Sequence, residues 1–238
     1  RENRKLIREA LQKVSFVNQV SHELRTPLTN IRLYTELLAS RLTDPKDLDH
    51  IGVVTAESQR LSRMIGNVLT FSRSGRDGFV VNISEIVIDD VVRRVIESFS
   101  PSLDQKSIDV VLQLDASRAV QTDVDFVEQI LSNLVGNVEK YASGGGYLEI
   151  VTVQSEGIIT VSVKDRGPGI PIRERKNIFK PFYRISNRLT DGVSGAGIGL
   201  AISRMLAEKL GGELHLDAEN PGALFRFTLV NELEGEES

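Results

Sequence analysis

His22 is followed directly by Glu23 and, one helical turn on, by Thr26, inside the run Ser21-His22-Glu23-Leu24-Arg25-Thr26-Pro27-Leu28. An imidazole with a carboxylate beside it is a nucleophile with its acid/base partner. Glu23 can orient the ring or take its proton, leaving a ring nitrogen free to attack. Thr26 lies at i+4, on nearly the same face as His22. His22 shares a row with Asn18, Arg25, Thr29 and Arg32, which is polar throughout and should face water or a partner.

A second group lies more than a hundred residues downstream. Asn133 and Asn137 stand one turn apart on one helix face, with Lys140 three residues further and Tyr141 next to it. Amide oxygens are hard, neutral ligands suited to magnesium, which completes its shell with water and phosphate. Lys140 offers charge to those phosphates, and Tyr141 a flat face or a hydroxyl. Asp165-Arg166-Gly167-Pro168-Gly169 ends an apolar strand. A carboxylate there accepts hydrogen bonds, such as that of adenine's exocyclic amine. Gly167 and Gly169 let the backbone bend close to a ring. Phe179, Phe182 and Arg184 put aromatics and a cation in a loop, and Gly195-Ala196-Gly197-Ile198-Gly199-Leu200 opens a helix. Glycine-rich helix starts cradle anions through backbone amides. The run is not a Walker loop, because no Gly-Lys-Ser/Thr follows. It also lacks the preceding strand of a dinucleotide fingerprint.

Residues 16–38 resemble the phosphoacceptor box of sensor histidine kinases. The four later segments, in order, resemble the ATP-binding module shared by histidine kinases, type II topoisomerases, one class of chaperones and mismatch-repair ATPases. Residues 129–141 are similar to that family's N box, 165–169 to its DxGxG box, 179–184 to its F box and 195–200 to its GxGxGL box. The resemblance implies ATP-dependent phosphorylation of His22 on a ring nitrogen, with Glu23 as acid/base partner. The phosphoryl group then passes to an aspartate of a response regulator receiver domain. Thr26 would position water when that regulator is dephosphorylated. Asp165 would hold the adenine amine and Asn137 would coordinate magnesium, with Asn133 in the same polar cluster. Lys140 and Arg184 would face phosphates, and Tyr141 would lie along the nucleotide. Gly167 and Gly169 would shape the base site. Gly195, Gly197 and Gly199, with Leu200, would form the hinge and cradle of a lid spanning about 171–196, which Phe179 and Phe182 would anchor. Val138 and Glu139 depart from the family's usual alanine and aliphatic residue without removing a polar ligand. Chaperone and topoisomerase relatives place a water-activating glutamate near the first asparagine. Here Asn133 stands in that place, and Glu128 lies five residues earlier.

These groups need elements to carry them. Ala10, Val14, Val17, Leu24, Leu28, Ile31 and Leu38 alternate steps of four and three once Ser21 and Thr35 fill the gaps, which is a heptad seam on one long helix over about 3–41. Pro27 should loosen it beside His22. Thr43-Asp44-Pro45 supplies a turn, and Ile51, Val54, Leu61, Ile65 and Val68 mark a second helix. Two such seams bury themselves best as a pair of hairpins, so a homodimeric four-helix bundle is expected. Residues 1–75 are read as this dimerisation and phosphotransfer hairpin, 76–231 as the ATP-binding domain, and 232–238 as an acidic tail, with a hinge at 74–78. The second domain should open with a strand at 79–83. A helix capped by Ser84 and closed by Pro101 follows. Strands at 108–114 and 119–121 precede a helix over 123–141. A hairpin at 147–153 and 158–163, a helix at 198–210 and strands at 213–216 and 224–230 complete it. Overall the fold class is α+β: a helical hairpin, then an α/β sandwich with helices on one face of a mixed, mostly antiparallel sheet.

Composition bounds the remaining classes. The chain is 40% hydrophobic and 26% charged, with net charge −4 and no cysteine, so disulfides and thiolate chemistry are excluded. No basic stripe interleaves with aromatics, and no nucleic-acid partner is expected. No apolar run approaches a membrane span. The sequence is read as a cytoplasmic fragment whose upstream sensor or linker is missing, with anchoring of the parent protein to the inner face of the membrane left open. His50 and His215 are read as surface or structural.

Overall fold

In this computed structural model the described residues are 27–66 (apart from 32, 36, 45, 49, 56, 57, 59, 60, 63 and 64), 81–185, 197–217 and 221–231. His22, Glu23, Thr26, the expected hinge at 74–78, Gly195 and the acidic tail lie outside them. The chain divides into two compact units, Arg1–Phe79 and Val80–Ser238.

In the first unit, the described residues between 27 and 39 and between 46 and 66 are helical. The turn between them follows its sequence. Arg41 and Leu42 both donate backbone N–H groups to the Leu38 carbonyl, and the Asp44 carboxylate accepts from the Lys46 amide at 2.8 Å. An aspartate in that place satisfies an orphan amide at a helix start. Leu28 and Ile65 are buried against each other, with Thr35 and Ser58 also buried. Leu33, Tyr34, Leu37, Leu38, Val53, Val54 and Leu61 remain exposed.

The second unit contains β1 (Ser84–Ile86), α1 (Ile88–Gln105), β2 (Asp109–Asp115), β3 (Val120–Thr122), α2 (Val124–Asn137), β4 (Tyr147–Ser155), β5 (Ile158–Asp165), α3 (Gly199–Lys209), β6 (Leu214–Asp217) and β7 (Leu224–Val230). Between α2 and β4 the chain widens into a π-helical turn, Val138–Ala142, then tightens into a 3-10 turn, Ser143–Gly145. The main sheet has the order β2-β4-β5-β7-β6, and β1 pairs with β3 alone. Only β2 and β4 are parallel within the main sheet. The α+β sandwich with a mixed, mostly antiparallel sheet is therefore as expected.

Period-two alternation sets the inner face: Leu148, Ile150 and Thr152 of β4, Ile159, Val161 and Val163 of β5, and Phe225, Phe227 and Leu229 of β7 are buried. The three helices supply Val91, Val95, Phe99 and Leu103 from α1, Ile130, Leu131 and Leu134 from α2, and Ile202 and Leu206 from α3, all buried. Asp123 caps α2 by accepting from the Phe126 amide at 3.1 Å, and its other oxygen takes the Asn82 amide at 2.8 Å.

Two expectations fail near α1. The strand lies at Ser84–Ile86, residues 81–83 of the expected strand are outside any strand while 79 and 80 lie outside the described residues, and Ser84 pairs with Thr122 instead of capping a helix. The cap position is Val87, with no side-chain bond. Asp123 reaches across to Asn82, which sets where the β1–β3 pairing can begin. Pro101 does not close the helix either, since α1 runs on to Gln105. Interior proline costs roughly 3 kcal/mol. Phe99 and Leu103, 2% and 1% exposed, flank it. Their burial returns about 1.5–3 kcal/mol each, so the helix continues through the proline.

Candidate active site

Asp165 is the last residue of β5 and is 7% exposed. Its Oδ1 accepts from the Gly167 amide at 2.7 Å and the Ala223 amide at 3.2 Å. Its own amide donates to the Ala223 carbonyl at 3.0 Å. Burial pushes its carboxyl above the ordinary carboxylate range, and the two amide donors work against that rise. One oxygen is thus committed to the fold, and Oδ2 makes no hydrogen bond among the described residues.

Backbone proximity holds this carboxylate in place. A Cβ on Gly167 would stand 2.5 Å from the Ala142 Cβ, so the strand-end turn lies directly on the π-helical segment after α2. Gly222 has φ +100, and a Cβ there would overlap the Asp165 carbonyl. Only glycine fits such a position. Gly169 (φ +71) sits beside the Gly222 carbonyl.

Asn133 and Asn137 differ in environment. The Asn133 amide donates to the Gly199 carbonyl at 3.3 Å and to Ser203 Oγ at 3.1 Å, tying α2 to the first turns of α3. Asn137, the last residue of α2, is half-buried and makes no side-chain hydrogen bond among the described residues. A half-buried amide without a protein partner is open to a ligand or to water. Lys140 is half-buried and Tyr141 is 50% exposed, both on the π-helical turn. Such turns recur at functional sites, because widening the helix re-aims its side chains.

The chain after Gly169 proceeds as a run of tight turns. Glu174 donates its amide to the Pro171 carbonyl at 2.8 Å, Asn177 to Glu174 at 2.8 Å and Lys180 to Asn177 at 2.8 Å. The Tyr183 hydroxyl donates to the Glu174 carboxylate, which pushes the phenol above its usual range. Phe179 packs edge-on against Phe225 with ring centroids 6.4 Å apart, whereas Phe182 is 63% exposed at φ 63. The Phe179–Phe225 contact anchors this segment to β7. Gly197 packs beside the Tyr183 carbonyl and the Arg184 side chain, and Ile198, Gly199 and the half-buried Leu200 lead into α3.

The four sequence segments thus meet. The π-helical turn after α2 touches the 165–167 turn, Asn133 bonds to Gly199, and 183–184 packs on Gly197. Three further contributors stand outside the motifs of the sequence. Ser203 is fully buried beneath Asn133. Ala223 acts through its backbone amide, which no side-chain type announces. Gly222 follows Pro221, a turn signal that could have drawn attention to it. Glu128 is held in an ion pair with Arg94 at 3.0 Å on the exposed side of α2. His50 is exposed, and His215 lies between Glu213 and Asp217 on the edge strand β6.

Residues 12–77 match the His Kinase A (phospho-acceptor) domain family, and residues 122–233 match the histidine kinase-, DNA gyrase B-, and HSP90-like ATPase family. Sensor histidine kinase WalK of Bacillus subtilis (strain 168) is 32% identical over 232 residues, covering 95% of this chain and 38% of WalK. Sensor protein SrrB of Staphylococcus aureus (strain N315) is 29% identical over 209 residues, 87% of this chain and 36% of SrrB. The chain spans well under half the length of both relatives. Full-length ShkA, solved in complex with AMPPNP, superposes with a TM-score of 0.66 at 27% identity, over 91% of this chain and 46% of that one. Among the described residues no helix is long and apolar enough to cross a membrane. With a phospho-acceptor domain match followed by an ATPase domain match on one chain, the chain belongs to the sensor histidine kinases and comprises their catalytic core.

Proposed function

We propose that this core phosphorylates itself on His22 with ATP, passes the phosphoryl group to an aspartate of a response regulator receiver domain, and also dephosphorylates that regulator. The observation carrying the reading is the convergence, in the second unit, of a buried carboxylate with one oxygen uncommitted among the described residues, a half-buried amide without a partner among them and a glycine-led helix start. It is combined with a phospho-acceptor domain on the same chain.

Asp165 Oδ2 accepts the adenine amine, and Gly167 and Gly169 let the ring lie against the backbone. Lys140 and Arg184 face the phosphates, Tyr141 lies along the nucleotide, and Gly195, Gly197, Gly199 and Leu200 frame the phosphate end under a lid. The orphaned Asn137 amide fits a magnesium ligand; Asn133, whose amide nitrogen is engaged on α3, supports it from beside. Bound magnesium would neutralise charge on the terminal phosphates. A ring nitrogen of His22 attacks the γ-phosphorus, the bond to the β–γ bridging oxygen breaks, and ADP leaves. Glu23 takes the imidazole proton. Thr26 positions the water that hydrolyses the regulator's aspartyl phosphate, releasing inorganic phosphate.

The exposed apolar residues on both helices of the first unit support a second copy of the chain as partner, closing a four-helix bundle. The domain limits 1–75 and 76–231, the acidic tail, cytoplasmic placement and an upstream sensor domain belong to the same proposal. The test is incubation with γ-labelled ATP. Parent protein should acquire acid-labile label that chases to a receiver domain. His22→Ala should acquire none, and label that persists in that variant would refute the assignment.

A further inference from the structure

Arg166 has no part in the site as described, yet it stands between Asp165 and Gly167, whose amide orients that carboxylate. Its guanidinium carbon lies 3.7 Å from the centroid of the Tyr147 ring. The guanidinium makes no hydrogen bond or ion pair among the described residues besides that stack. In the β4–β5 ladder Leu148 faces Asp165, so Tyr147 and Arg166 form the next cross-strand pair, one step beyond the last ladder position. The backbone beneath is equally tight. A Cβ on Gly145 would overlap the Arg166 carbonyl, and one on Gly167 would stand 2.5 Å from the Ala142 Cβ. Residues 142–147 are therefore the floor on which Arg166 and Gly167 rest, and the Tyr147 ring grips the one long side chain of that turn.

We infer that Tyr147 is a positioning residue for nucleotide: by stacking on Arg166 it holds the 165–167 turn, and with it the Asp165 carboxylate, in the binding geometry. The inference rests on the proposed role of Asp165 in holding the base. Neither side chain needs to touch nucleotide. Residues 165 and 166 are consecutive at a strand end and project to opposite faces, so the stack lies on the side of the sheet away from the Asp165 carboxylate. Tyr147 is half-buried and Arg166 exposed, so replacing them leaves the core intact. Stacks of this kind at exposed sites correspond to about a two- to fivefold factor in an equilibrium constant.

The test is a double-mutant cycle on the whole chain, reading equilibrium binding of a fluorescent ATP analogue with magnesium. The variants are Tyr147→Leu, Arg166→Ala, both together and Tyr147→Phe, with Asp165→Asn as a control. Tyr147→Leu and Arg166→Ala should each weaken binding about two- to fivefold, and the double variant no further than either alone. Tyr147→Phe, which keeps the ring face, should bind like the parent. The inference is overturned if Tyr147→Leu lowers the melting temperature while leaving affinity unchanged. It is equally overturned if Arg166→Ala weakens binding as much in the Tyr147→Leu background as in the parent, because Arg166 would then act alone. If the parent fails to bind, or Asp165→Asn binds as the parent does, the proposed base site falls and this inference with it.

Discussion

Replacing Asp165 by asparagine should separate affinity from stability. The asparagine oxygen can keep both bonds that Asp165 Oδ1 makes, to the amides of Gly167 and Ala223. The new NH2 group then takes the place of Oδ2 and opposes the adenine amine, donor against donor. A hydrogen bond to a charged group contributes about 1.5–3 kcal/mol, so nucleotide affinity should fall about 10- to 150-fold. Stability should move the other way. Burial raises the folded-state pKa of Asp165 above its ordinary value of 3.8, so the folded protein resists ionising it. Such a group favours the fold fully below its unfolded pKa and loses that contribution as pH rises through the folded pKa. Above its unfolded pKa, keeping this carboxyl buried is thus a cost, and a neutral asparagine avoids it. Nucleotide-free melting at pH 7 should show the variant at least as stable as the parent, with the difference closing toward about pH 4. Binding of a fluorescent ATP analogue supplies the affinity. Unchanged affinity, or a variant clearly less stable at pH 7, would refute the reasoning.

Gly222→Ala should be costly for a different reason. The left-handed backbone (φ +100) and the overlap of its Cβ with the Asp165 carbonyl together cost about 2–5 kcal/mol, read by urea denaturation. Asp89→Ala tests the opposite end of the sheet. Asp89 is 2% exposed and accepts from the Ala116 amide at 3.1 Å and from Thr152 Oγ1 at 2.7 Å. Removing it strands both donors and should cost about 2–3 kcal/mol, while nucleotide affinity stays at the parent value.

The chemistry-bearing residues of the second unit were legible because a phosphate-, metal- and base-binding site demands unusual residue types at fixed spacing. Asn133 and Asn137 one turn apart, Asp165 at a strand end and Gly197–Gly199 before a helix mark themselves. Strand limits were close for the same kind of reason, since Ile159, Val161 and Val163 alternate against the sheet's inner face. Helix α1 was misread at both ends because local rules there yield to distant partners. Ser84 pairs with Thr122, thirty-eight residues away in the chain, and Pro101 is carried through by buried Phe99 and Leu103.

The amino-acid order by itself determined which groups could do chemistry and which periodic faces must be buried. Only the folded chain decided how those groups are divided between binding and support. Asn133 lends its amide to α3, Asn137 keeps its own unpaired among the described residues, and Asp165 spends one oxygen on Gly167 and Ala223. The physical reason is that residue type and spacing act within a few turns of the chain. The commitment of a donor or acceptor depends on what packing brings within about 3 Å, and Ala223, fifty-eight residues beyond Asp165, arrives there only once β5 and β7 have paired.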